Sequence, residues 1–188
     1  MNHIFMRFRR DIIGLIWLST GIFLGLALYS YTPQDPSFSS SGANVVVANY
    51  CGYFGSFLAD GLFLILGLSA WVLVVGAIRL ALKSFLGENL SLNWWRLLWA
   101  GLLFVTLSSL GALYFPEEKF FDNHVYVGGM LGSLTARGLT TLFNFAGVAV
   151  ILWTSMLVLI IFYTEMTLKD LLKWPGQRLS FFAKKEAL

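Results

Sequence analysis

Four stretches of this chain are long, apolar and free of charge, and they constrain its fold more than any other feature. Ile12 to Tyr31 is a run of 20 residues without a charged side chain, and Gly61 to Ile78 is a second, bounded by Asp60 and Arg79. Leu97 to Phe115 is a third, between Arg96 and Pro116-Glu117-Glu118. A fourth lies inside Gly138 to Thr164, centred on Phe145 to Tyr163. An α-helix rises about 1.5 Å per residue, so about 20 apolar residues cross the hydrocarbon of a bilayer. Lipid offers no hydrogen bond to a bare peptide group, so each run is expected to be helical. The strands of a membrane barrel would alternate in polarity, and these runs are continuous.

Composition supports the same class. The chain is 57% hydrophobic and 12% charged, where a soluble domain carries about 25% charged residues. Its 188 residues cannot bury that much apolar surface in one aqueous core. The first run follows a basic start, but it is too long for a signal peptide, and no small-residue cleavage site follows before Pro33. The expected fold is an all-α polytopic membrane protein with spans at about 12–31, 61–78, 97–115 and 145–163, arranged as two helical hairpins. The second span has room to start near Tyr53, which would make it longer than the bilayer is thick and force a tilt or a projection.

Orientation follows from Lys and Arg. Arg7, Arg9 and Arg10 precede the first span, Arg79, Lys83 and Arg96 flank the loop after the second, and five more basic residues follow the fourth. Of the 13 basic residues, 11 fall on that side, against Lys119 and Arg137 on the other. Basic loops stay in the cytoplasm, which predicts both termini inside. The net charge of +3 is thus juxtamembrane, suited to anionic lipid headgroups rather than to nucleic acid. Residues 1–11 read as a cytoplasmic N-terminus, 12–164 as the membrane domain and 165–188 as a basic cytoplasmic tail. In that tail, Thr167 and Asp170 have capping-box spacing.

An internal repeat links the two halves. Residues 52–62 read GYFGSFLADGL and residues 129–139 read GMLGSLTARGL, with six of eleven positions identical. Each copy leads from an outer loop into an inward-going span, so the second hairpin would repeat the first about an axis along the membrane normal. Chance is the rival reading, since glycine and alanine are common in membrane helices. Gly52, Gly55, Ser56 and Ala59 form a small-residue stripe at helical spacing, and Gly129, Gly132, Ser133 and Ala136 form another. Such stripes let helix backbones approach closely, as does the Gly21-Gly25 spacing in the first span. Segment 129–142 is expected to be an additional amphipathic helix at the outer surface. Asp60 and Arg137 occupy equivalent positions with opposite charge. Either they pair across the axis and fix how the hairpins dock, or Asp60 caps a helix while Arg137 reaches for headgroups.

A search for catalytic chemistry finds no site. There is no GxxxxGK[ST] phosphate loop and no HExxH. His3 and His124 fall on opposite sides of the membrane, and Asp60 has no second carboxylate near it in sequence for an acid dyad. One cysteine, Cys51, excludes an intrachain disulfide and reads as a plain outer-loop residue. No cofactor or metal is implied.

Three elements carry a family resemblance. YTPQDPSFS at Tyr31–Ser39, GYFGSFLADGLFLILGLSAW at Gly52–Trp71 and GGMLGSL at Gly128–Leu134 resemble, in order and spacing, the amino-terminal four-span membrane domain of FtsK/SpoIIIE DNA translocases. The resemblance implies a bacterial inner-membrane anchor at the division septum, in contact with other division proteins. A long linker and a hexameric ATP-driven motor normally follow in the family; they are absent from these residues, so the full-length form would be the homo-oligomer. ATP and DNA binding are therefore not expected of this segment. The expected function is a non-enzymatic anchor and division scaffold embedded in lipid. The alternative from another class is a small channel or transporter built from the same hairpins, which solute flux in proteoliposomes would reveal.

Overall fold

A computed structural model of the chain describes residues 2–42, 46–88 and 93–164; the expected capping box at Thr167 and Asp170 lies outside the described residues. The elements are α1 (Asn2–Tyr29), α2 (Gly52–Leu66), a 3-10 turn (Gly67–Ala70), α3 (Trp71–Phe85), α4 (Trp94–Tyr114), the strands β1 (Lys119–Phe120) and β2 (Val125–Tyr126), α5 (Gly129–Leu142) and α6 (Phe145–Thr164). Four helical stretches are long and apolar enough to cross a membrane: Phe8–Tyr29, Gly52–Phe85, Trp94–Tyr114 and Phe145–Tyr163. The third and fourth coincide closely with the expected spans. The first helix begins at Asn2, so residues 2–11 continue the helix of the first span.

Helix pairing follows from where glycines admit a neighbour. A Cβ on Gly14 would strike the Phe85 ring, one on Gly21 would come 3.0 Å from Ile78, and one on Gly25 would touch Val74 at 3.5 Å. The sequence order of these partners runs backwards, so α3 lies antiparallel to α1. The Gly21-Gly25 spacing is therefore spent on a contact within the chain. At the other pair, Tyr114 meets Phe145 with ring centroids 5.6 Å apart, and Trp99 stacks on Phe162 at 4.8 Å. Thus α6 runs antiparallel to α4.

The second apolar run departs from expectation. Length and composition alone make Gly52–Phe85 one span of 34 residues, but its contacts divide it. The Cys51 thiol and the Phe54 ring meet Phe23 of α1, whereas Asp60 and Phe63 meet Tyr31, just past the end of α1. So α2 crosses the last turns of α1 instead of running back along it, and only the stretch beyond Gly67 descends. Gly67 to Phe85 is 19 residues, about 28 Å of helix, enough to cross the hydrocarbon by itself. Arg79 and Lys83, expected to flank the loop after the second span, lie on α3.

The second half is built in the same way. Gly128 and Gly132 press against Ala112 and the Ser108 backbone, so α5 crosses α4 near its end, as α2 crosses α1. Both crossing helices open on a glycine in the left-handed region, Gly52 at φ 63° and Gly129 at φ 58°. Both end in a break, the 3-10 turn after α2 and the extended Phe143 after α5. Each half is thus a hairpin of two antiparallel spans with a crossing helix between them, three helices in all. Each has its own core: Ala27, Leu28, Ala59, Phe63, Ala70 and Val74 in the first, and Leu110, Leu113, Ala136, Val148 and Leu152 in the second. The two loops lie together at one end, the loop end, opposite the end where α1 begins and α6 finishes.

Candidate functional site

The buried carboxylates, and most of the polar side chains buried with them, gather at the loop end. Asp60, on the crossing helix α2, is only 3% exposed. A buried carboxylate is costly unless hydrogen bonds replace its water. Asp60 accepts three: from the Tyr31 hydroxyl at 2.8 Å, the Ser39 amide at 2.9 Å and the Ser39 hydroxyl at 2.5 Å. Burial first, and then the Asp60 carboxylate, push the Tyr31 phenol well above its ordinary pKa, so it stays a neutral donor.

Asp35, fully buried, closes the same loop on itself. It accepts from the Ala48 amide at 2.9 Å and the Asn49 amide at 2.9 Å. The Asn49 side chain then donates to the Ala27 carbonyl at 2.8 Å, near the end of α1 where carbonyls lack helical partners. Ser56 of α2 donates to the Pro36 carbonyl at 2.9 Å. The YTPQDPSFS stretch is therefore a clasp. Tyr31 and Ser39 hold Asp60, Asp35 holds the returning strand of the loop, and Pro36 receives the α2 stripe.

The two units meet along a seam of glycine and serine. Gly67 has φ 61° and ψ −147°, and a Cβ there would strike the Val127 carbonyl, the Gly129 amide and the Tyr126 carbonyl. The Leu68 amide donates to Val127 O at 2.9 Å. The break frees the Leu66 carbonyl, which accepts from Ser69 at 2.6 Å and from Ser108 of α4 at 3.1 Å. Above this seam the tight turn 121–123 sends Phe121 across to the first unit, 5.4 Å from Tyr31 and 5.1 Å from Phe63 between ring centroids.

The sequence-derived residues are placed as follows. Gly55 and Ala59 are buried within the first unit, and a Cβ on Gly55 would strike Asn49 and Cys51. Gly129, Gly132 and Ala136 are buried against Gly67 and the second unit. Gly52 has open space beside it; its role is its positive φ. Asp60 and Arg137 are not brought together: the carboxylate is used by Tyr31 and Ser39, while Arg137 is exposed. Among the described residues the ion pair within reach is Lys83–Glu88 at 3.3 Å. The equivalence of the two positions in sequence misled, because each unit buries its own copy of the stripe. Accordingly, Arg137→Asp will change thermal stability by less than about 0.5 kcal/mol, Asp60→Arg will be strongly destabilising, and the double exchange will recover none of that loss. Recovery in the double variant would contradict this assignment.

Sequence reading missed Tyr31, Asp35 and Ser39 as ligands of the clasp, and Gly67, Ser69 and Ser108 at the seam. The available signal was an Asp beside a span and a glycine within one, each needing a distant partner to be read. Cys51, read as a plain loop residue, is half-buried, with its thiol 3.5 Å from the Phe23 carbonyl and its pKa raised by burial. Among the described residues no group of three His, Cys, Asp or Glu side chains is arranged to hold a metal ion. This chemistry fastens loops to helices; it does not position a nucleophile or an acid and base.

Fold and site together define a multi-pass helical membrane domain of two repeated three-helix units clasped at one end. The family model described as the 4TM region of DNA translocase FtsK/SpoIIIE matches residues 6–176, and the chain belongs to that family. Among curated relatives, the DNA translocase FtsK of Vibrio vulnificus (strain CMCP6) is 30% identical over 175 residues, covering 88% of this chain and 17% of the relative. That of Vibrio parahaemolyticus serotype O3:K6 is 28% identical, over 89% of this chain and 16% of the relative. That of Pseudomonas syringae pv. tomato is 32% identical, over 63% and 16%. The chain thus spans about a sixth of the length of these relatives. No solved structure matches it. The matched region is the family's membrane domain, not its motor, and with four apolar helices it makes the chain a multi-pass inner-membrane protein.

Proposed function

We propose that this domain anchors a DNA translocase in the bacterial inner membrane and acts as a scaffold at the division septum, with both termini cytoplasmic and the loop end periplasmic. The observation that carries the reading is that the family match covers nearly the whole chain while its buried carboxylates are consumed in holding loops. Other division proteins are the partners this reading implies, and chromosome segregation coupled to division is the task of the longer protein. A fluorescent fusion of residues 1–188 should collect at the septum of dividing cells. A uniform envelope signal in cells that divide normally would overturn the scaffold reading.

Cys51 reports the orientation. A membrane-impermeant maleimide added from the periplasmic side should label it, and slowly, because burial raises the thiol and the Phe23 carbonyl holds it. In a Cys51→Ser background, Ser41→Cys on the exposed loop should label far faster from the same side. Labelling of both sites only after cytoplasmic access would reverse the topology.

A further inference from the structure

Below the clasp the two units separate. A cavity of about 420 Å³ lies between α3 of the first unit and α4 and α6 of the second. Its wall includes Leu68, Val72, Leu107, Leu110, Trp153 and Met156 and is almost wholly apolar. It is an open groove, with Val72, Phe115 and Trp153 of its wall exposed, and an apolar wall gives water no partners. A hydrocarbon filler is required. A helix is about 10–12 Å across with its side chains, too broad for this space, whereas a single hydrocarbon tail is slender enough to enter it.

The helix faces that line it lead on toward the end where the termini lie. Val72, Gly76 and Arg79 share one face of α3, at spacings of four and three residues, and Met156 and Tyr163 share one face of α6. Gly76 has nothing within 4 Å of where a Cβ would stand, so no neighbouring group fills that face. Toward that end the Arg79 guanidinium lies 5.8 Å from the centroid of the Tyr163 ring, where the fourth apolar run meets Glu165 in the sequence. Arg79 is exposed, and among the described residues no carboxylate lies within ion-pairing distance of it. A guanidinium at the level where an apolar run ends stands among lipid phosphates, which it binds with its planar fork of donors.

We propose that the cleft between the units holds one anionic phospholipid from the leaflet at the terminal end, its phosphate on Arg79 and an acyl chain in the cavity. The lipid would fill the space that the broken second span leaves between two otherwise separate cores, making it part of the docked structure.

The test is native mass spectrometry of the detergent-solubilised chain titrated with phosphatidylglycerol and, separately, phosphatidylcholine. The wild type should retain one phosphatidylglycerol in preference to phosphatidylcholine. Arg79→Gln should weaken phosphatidylglycerol about tenfold, the scale of one charge-assisted hydrogen bond, and abolish the headgroup preference. Val72→Trp, which fills the cavity, should remove the tightly held lipid of either kind, while Lys119→Gln at the loop end should change nothing. Wild-type affinity and stoichiometry in both cleft variants would overturn the proposal, as would a dimer that Val72→Trp dissociates with no lipid retained. A measurement on the unaltered protein guards against misfolded variants: phosphatidylglycerol with brominated chains should quench tryptophan emission more than brominated phosphatidylcholine, through Trp153 in the cavity wall. Equal quenching by the two lipids would also overturn it.

Discussion

Gly67→Ala will lower the thermal unfolding midpoint of the detergent-solubilised protein by roughly 10 °C, equivalent to about 4 kcal/mol for a chain of this size. Two costs combine. The backbone at φ 61° and ψ −147° is a conformation open essentially to glycine, and a residue with a Cβ is strained there by about 1–3 kcal/mol. The added methyl would also meet the Val127 and Tyr126 carbonyls and the Gly129 amide, all backbone atoms that cannot rotate away. Overpacking of that kind adds about 1–3 kcal/mol. Gly76→Ala, in open space on the same span, is the control and should be neutral or slightly stabilising through helix propensity. Equal midpoints for the two variants would mean that the seam does not hold the units together.

Asp60→Ala should cost a similar amount, about 3–5 kcal/mol, measured as a loss of thermal stability and as faster proteolysis of the loop at 32–42. The substitution leaves the buried Tyr31 hydroxyl, and the two donors of the exposed Ser39, without their acceptor. Asp60→Asn keeps one acceptor oxygen and should lose less. Tyr31→Phe removes one donor and keeps the ring contacts with Phe63 and Phe121, so about 1–2 kcal/mol is expected. Because the Tyr31 pKa is raised on folding, its share of the stability is complete below the free phenol value of about 10 and fades only as pH climbs past it. If Asp60→Ala melted like the wild type, the clasp would be a surface arrangement without structural weight.

The two variants separate the clasp from the seam. Loss of Asp60 releases the first loop from α2 within one unit, whereas a side chain at Gly67 pushes the second unit away from the first. Proteolysis at 32–42 should therefore accelerate in Asp60→Ala and stay near wild type in Gly67→Ala under native conditions.

The class of protein was legible in the amino-acid order because its signal is local. Each of the four apolar runs is a property of neighbouring residues, and lipid as solvent makes any such run a helix wherever the rest of the chain lies. The α4 and α6 spans were predicted within a few residues for that reason, whereas helix 129–142 was expected from its amphipathic pattern. The YTPQDPSFS and GYFGSFLADGL elements carried the family resemblance, but not the hydrogen bonds of Tyr31, Asp35 and Ser39. What the tertiary structure alone decided was how those elements are used. Ile65, Leu66, Gly67 and Leu68 read as uninterrupted helix, since one glycine in an apolar run costs only about 1 kcal/mol and carries no direction. The chain breaks there because Val127, Gly129 and Ser108, 41 or more residues away, bring backbone and hydroxyl groups to the freed amide and carbonyl. Asp60 stood out as a charge beside a span, but its partners are a tyrosine and a serine from the preceding loop, not the arginine at the equivalent position in the repeat. Hydrophobicity is summed along the chain and can be read from it; a hydrogen bond is made between two points in space, and only the fold brings those points together.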